Sequence, residues 1–174
     1  MSYVLLDRDG VINRDLAESV RSPEKLVLLP EALEALALFK QHSVTVIVIT
    51  NQACVGRGDV SPETLDAIHQ KMIREVEAHG GKIEAIYVCP HTDADACDCR
   101  KPAPGLLLRA QREHGFNLAS TYFVGDALRD LQAAEAAGCL GALVKTGKGA
   151  KITPPDGIPV FNTVVEFAQH LVGE

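Results

Sequence analysis

Tyr3-Val4-Leu5-Leu6-Asp7-Arg8-Asp9-Gly10 decides the fold. Four apolar residues in a row stop at two carboxylates, and a glycine able to turn sharply follows. A short apolar run without polar alternation is a strand buried on both faces, as a helix-covered parallel sheet requires. The same pattern returns at residues 44–49, 83–88, 122–124 and 142–144. Helix signals lie between these runs. Pro30 opens one helix, and Ser61-Pro62-Glu63 supplies a capping hydroxyl, a first-turn proline and an acid for a second. Pro104 opens a third, Leu128–Ala137 form a fourth, and Thr163 to Glu166 have capping spacing for a last. Strand and helix in succession predict an α/β fold: a three-layer, Rossmann-like parallel sheet in a single domain over residues 1–174.

Bulk properties narrow the function. With 174 residues, 47% of them apolar, the chain can bury a core without help from metals or disulfides. A formal charge of −6 argues against general nucleic-acid binding. No apolar stretch approaches the ~20 residues of a membrane span, and the N-terminus reads as a strand, not a signal peptide. Five cysteines, three of them within residues 89–99, suit a metal site in a reducing compartment, so the expectation is a cytoplasmic protein. Nothing demands more than a monomer.

In sheets of this kind ligands sit at the carboxyl ends of strands. Polar residues stand where the runs stop: Asp7 and Asp9, then Thr50 and Asn51, then Cys89 and His91, then Asp126. An acidic turn alone would account for Asp7-Arg8-Asp9-Gly10 equally well, so the partners decide. A carboxylate attacking phosphorus needs a divalent cation and fixed positive charge to offset repulsion from the phosphate. A second carboxyl must protonate the leaving alkoxide and then activate water. Thr50 and Asn51 offer hydrogen bonds to phosphate oxygens, Arg100-Lys101 offer cations, and Asp126 offers a magnesium ligand.

Asp7-Arg8-Asp9-Gly10-Val11-Ile12-Asn13, Ile49-Thr50-Asn51-Gln52, Arg100-Lys101-Pro102 and Gly125-Asp126 together resemble the four ordered motifs of the haloacid dehalogenase superfamily. The resemblance spans most of the chain. It implies that Asp7 is the nucleophile and Asp9 the general acid and base. It also implies that Thr50 and Lys101 stabilise the phosphoryl group, and that magnesium is held by Asp7, the Asp9 main-chain carbonyl and Asp126. An aspartate at position 9 implies phosphate ester cleavage. Asp130 either orients Lys101 or a metal-bound water, or stands on the surface.

Cys89-Pro90-His91 and Cys97-Asp98-Cys99 supply three thiolates and an imidazole within eleven residues, a closed set for structural zinc. The zinc would fix Arg100 and Lys101, which follow directly. This loop resembles two groups within the superfamily, the D-glycero-D-manno-heptose 1,7-bisphosphate 7-phosphatases and the histidinol-phosphatases. Both use it in place of a separate cap domain. Asn51-Gln52 with Gly56-Arg57-Gly58, Leu128 to Ala134 and Lys145 to Gly149 resemble the heptose group more. That resemblance implies removal of the C7 phosphate of the heptose bisphosphate, a phosphorylated sugar on the route to nucleotide-activated heptose of surface polysaccharide. Asp15, Glu18, Asn51, Gln52, Ala53, Arg57 and Arg100 are then the expected substrate contacts. Ala53-Cys54-Val55 departs from the group's pattern, and Ala127 stands where some relatives carry lysine. Cys54 and Cys139 read as packing groups, and His42, His69, His79, His114 and His170 as surface or half-buried residues. Lys145 to Gly149 lacks the spacing of a nucleotide-binding loop.

Overall fold

In the computed structural model, which describes residues 1–174, every expected apolar run becomes a strand. They are β1 (Ser2–Leu6), β2 (Val44–Asn51), β3 (Ala85–Cys89), β4 (Tyr122–Gly125) and β5 (Leu140–Val144). A sixth, β6 (Val160–Phe161), is too short to stand out in the sequence. All pair in parallel, in the order β3-β2-β1-β4-β5-β6. The helices are α1 (Pro30–Gln41), α2 (Ala53–Gly56), α3 (Pro62–Ala78), α4 (Gly105–His114), α5 (Leu128–Ala137) and α6 (Val164–Val172). The short α2 follows the second motif and was not expected. At the start of α3, Ser61 Oγ accepts from Thr64 N at 3.1 Å, as its cap sequence predicts.

Strand pleating divides the apolar residues between two faces. Val4, Leu6, Val46 and Val48 pack with Leu36, Phe39, Met72 and Phe167 of α1, α3 and α6. Leu5, Ile47, Ile49 and Phe123 pack with Leu107, Ala110, Ala133 and Ala134 of α4 and α5. Each fully buried Leu, Ile or Phe contributes roughly 1.5–3 kcal/mol, so the two packed faces support the hydrogen-bonded sheet and leave its rim for polar groups. No helix is long and apolar enough to cross a membrane.

Strand order places the site. The chain winds from β1 outward through β2 and β3, then returns to β4 on the other side of β1. That reversal opens a crevice between the ends of β1 and β4, which Asp7 and Asp126 directly follow. Between β1 and α1, and between β3 and α4, the chain runs only through loops and short 3-10 turns, so loops flank the rim on those sides.

Candidate active site

Asp7 leaves β1 buried, with Oδ1 held at two points. Arg8 N donates to it at 2.8 Å and Lys101 Nζ at 2.9 Å. Lys101 is 2% exposed, donates also to the Ile49 carbonyl at 3.1 Å, and sits over the Phe123 ring. Its Nζ lies 2.9 Å from Asp130 Oδ1, an ion pair off the hydrogen-bond direction. Burial opposes the Lys101 charge, but Asp130 and Asp7 outweigh it and raise the ammonium pKa. Asp130 is wholly buried, and its Oδ2 accepts from the main chain at Asp126 and Ala127, at 3.2 and 3.1 Å. The surface reading of Asp130 is therefore corrected: it braces the Asp126 turn and faces Lys101.

Asp126 Oδ2 accepts from Lys148 N at 3.0 Å. Two glycines make room for it. A Cβ on Gly10 (φ +83°) would stand 2.0 Å from Asp126 Oδ2, and one on Gly147 (φ +62°) 2.5 Å from it. Thr146 Oγ1 donates to the Gly10 carbonyl at 2.6 Å, closing the loop after β5 onto the first motif.

Ligand atoms of Asp7, Asp126 and Asp130 lie within 4.8 Å of one another, and the Lys101 ammonium pairs with two of the three, Asp7 and Asp130. Burial, then the Asp130 and Asp126 charges, push the Asp7 carboxyl pKa well up against the pull of Lys101. Burial, with Asp130 and Asp15 adding, pushes Asp126 up to about 6 against the Lys148 N–H. An all-oxygen set with excess negative charge fits a hard divalent cation such as magnesium.

Asp9 turns the other way. Its Oδ1 accepts from Arg8 Nη2 at 2.8 Å and Asn13 Nδ2 at 2.9 Å, and its Oδ2 from Gln52 Nε2 at 2.8 Å. Burial alone would raise its pKa, but the Arg8 charge and these donors hold it below the usual carboxylate range. Gln52 Nε2 also donates to Thr50 Oγ1 at 2.8 Å. Thr50 is fully buried beneath Gln52. Asn51 makes a reciprocal pair with the Lys101 main chain, its Nδ2 donating to the carbonyl at 3.2 Å and its Oδ1 accepting from N at 3.1 Å. Its amide thus braces the third motif as well as facing the site.

These groups floor a cleft of about 250 Å³. Asp7, Asp9, Asp15, Asn51, Gln52, Ala53, Arg57, Arg100, Lys101 and Asp126 line it; Thr50 and Glu18 do not. Glu18 is exposed, and its carbonyl accepts from Arg21 Nε at 2.8 Å. The sequence reading missed Arg129 and Lys148, which complete the basic rim with Arg57 and Arg100. Both lie in stretches already singled out in the sequence, Arg129 in Leu128 to Ala134 and Lys148 in Lys145 to Gly149. His69, expected near the surface, is 6% exposed.

Cys89, His91, Cys97 and Cys99 converge as the sequence predicts, with ligand atoms within 4.8 Å. Cys97 Sγ lies 3.7 Å from Cys89 Sγ and 3.6 Å from Cys99 Sγ, near the ~3.8 Å edge of a tetrahedron built on Zn–S bonds. His91 Nδ1 is 3.5 Å from Cys89 Sγ and 3.2 Å from Cys99 Sγ, and the two sulfurs stand 2.9 Å apart as free thiols. Against the cost of burial, the Cys99 and Arg100 N–H groups hold the Cys97 thiol pKa down to about 6. A thiolate-rich set of this kind fits a structural metal. Beside it, Arg100 Nε donates to Asp93 Oδ1 at 2.6 Å and Nη1 to the His91 carbonyl at 3.3 Å.

The chain resembles known proteins along its whole length. Residues 98–163 match the HAD-hydrolase-like family. The chain is 45% identical to the D-glycero-beta-D-manno-heptose-1,7-bisphosphate 7-phosphatase of Bordetella bronchiseptica, covering 95% of this chain and 93% of that one. It is 41% identical to the enzyme of the same name from Neisseria meningitidis, over 100% and 96% of the two chains. A crystal structure of the D,D-heptose 1,7-bisphosphate phosphatase from B. bronchiseptica, complexed with magnesium and phosphate, superposes with a TM-score of 0.95 at 42% identity, covering 99% of each chain. The strand order, the convergent motifs and these full-length likenesses lead to one conclusion: the chain belongs to the haloacid dehalogenase superfamily of phosphatases, within the group of heptose 1,7-bisphosphate 7-phosphatases.

Proposed function

We propose that the chain is a magnesium-dependent phosphomonoester hydrolase that removes the C7 phosphate of D-glycero-D-manno-heptose 1,7-bisphosphate. The observation that carries this reading is the pairing of a braced nucleophile with a basic rim. Asp7 Oδ1 is fixed by Arg8 N and Lys101, and the cleft mouth carries Arg57, Arg100, Arg129 and Lys148. Four cations suit a substrate bearing a second phosphate. They disfavour histidinol phosphate, whose far end carries an amine.

In this scheme an Asp7 carboxylate oxygen attacks phosphorus and the bond from phosphorus to the C7 oxygen breaks; Asp9, which must carry a proton for this step against the pull of Arg8 and its other donors, gives that proton to the departing alkoxide. Asp9 then takes a proton from water, which attacks the phosphorus of the aspartyl-phosphate. Phosphate leaves and the Asp7 carboxylate is restored. Lys101 steadies the phosphoryl oxygens, and the Thr50 hydroxyl, buried beneath Gln52, joins it once the Gln52 amide moves aside. Magnesium, held by Asp7, the Asp9 main-chain carbonyl and Asp126, would neutralise charge on the transferring group. Zinc on Cys89, His91, Cys97 and Cys99 would fix the loop that carries Arg100, with no part in the chemistry.

Asp7, Asp9, Lys101 and Asp126 of one chain meet in one cleft, and we read the protein as a monomer working as one domain. Five free cysteines fit the cytoplasm. Purified protein supplied with magnesium should release phosphate from the heptose bisphosphate at least tenfold faster, as kcat/KM, than from histidinol phosphate. The reverse order would overturn the substrate assignment, and no release from any ester would leave only a binding module.

A further inference from the structure

Behind Asp9 lies a buried pair that the reaction scheme does not use. Arg8 is wholly buried, its Nη2 donates to Asp9 Oδ1 at 2.8 Å, and its Nη1 stands 3.1 Å from His69 Nε2. Arg8 Nε has no partner. A guanidinium has only donors to offer, so this contact is a hydrogen bond only when His69 is neutral with its lone pair on Nε2. Burial, and then the Arg8 charge, keep it neutral by lowering its pKa to about 4. His69 projects from α3, which contributes no residue to the cleft.

We propose that His69 is a positioning residue: by accepting from Arg8 it fixes the guanidinium that holds the Asp9 carboxylate in line with Gln52 and Asn13. Removing the acceptor would leave two guanidinium donor groups unpaired in the interior. The guanidinium would then swing toward another acceptor and draw Asp9 with it. The inference rests on Asp9 acting as the general acid, and the test separates the two claims.

Two esters with different leaving groups make the test. The heptose alkoxide needs a proton to depart, whereas p-nitrophenolate does not. kcat/KM reports only the steps through departure of the alcohol, so the later water attack does not enter. His69→Leu and His69→Met should lose about tenfold in kcat/KM on the heptose bisphosphate, a part of what a general acid contributes. On p-nitrophenyl phosphate they should stay within about twofold. His69→Gln, whose amide oxygen can accept from Arg8, should recover most of the loss. Equal losses on both esters, no loss on either, or failure of every His69 variant to fold would overturn the proposal and leave His69 a packing residue. Asp9→Asn serves as the control. If it too loses equally on both esters, the acid role of Asp9 fails; if it discriminates and the His69 variants do not, only the His69 inference fails.

Discussion

Asp7 and Asp126 follow the ends of β1 and β4, over a hundred residues apart, and meet Asp130 from the first turn of α5, whereas Cys89, His91, Cys97 and Cys99 come from a single loop. The distant cluster is held by partners of its own. Lys101, Arg8 N, Lys148 N and the main chain at Asp126 and Ala127 fix its oxygens. In the local cluster the side-chain contacts run mainly among the ligands themselves. The difference teaches which part needs its metal for shape. Carboxylates braced by the sheet should keep their places without magnesium, while the loop over 89–101 should loosen without zinc. Arg100 hangs on that loop through Asp93 and His91, but Lys101 is tied to Asn51 and the Ile49 carbonyl of the sheet. On the proposed scheme the chemistry would rest on the sheet, and of the substrate-gripping cations only Arg100 would depend on the loop.

The sharpest way to break this contrast is Asp7→Asn. It should lower kcat by at least roughly 10⁴-fold, as loss of a nucleophile does elsewhere, and leave the melting temperature unchanged or raised. Burial and two neighbouring carboxylates already strain the charge it removes. Retained turnover would refute the nucleophile.

Next in size, stripping zinc should raise KM for the heptose bisphosphate about tenfold, the order expected for a lost charged contact. It should leave kcat within a few-fold and increase hydrogen exchange over residues 89–101. An unchanged loop with unchanged kinetics would dissolve the proposed division of labour.

The smallest effect concerns acid stability. His69 has a folded pKa near 4, below its ordinary 6.5, so the unfolded chain takes up its proton first as pH falls. Its stabilising share is complete above pH 6.5 and is lost toward pH 4, on the order of 3 kcal/mol at most. Urea melts at several pH values should therefore show a shallower acid decline for His69→Gln than for the natural chain. Parallel declines would contradict the neutral buried imidazole.

Much of this architecture could be read from the chain. Apolar runs doubly buried by helices leave no alternation, so residues 3–6, 44–49 and 122–124 announce a parallel sheet before any topology is known. Polar residues at their ends then mark the rim. The thiol loop is legible because its ligands are close in sequence. What stayed hidden depends on pairs that no spacing encodes. His69 sits among helical residues with nothing to mark it, and only the meeting of α3 with the first motif buries it against Arg8. Arg129 and Lys148 reach the cleft because α5 and the loop after β5 begin at the same rim. β6 escaped because two residues form no pattern.

The covalent intermediate is the core of the account, and borohydride tests it directly. Protein quenched during turnover of the heptose bisphosphate and reduced should carry homoserine at position 7, since an acyl phosphate is reduced there and a free carboxylate is not. Peptide mass analysis that finds homoserine at another position, or an unmodified Asp7 under active turnover, would contradict it.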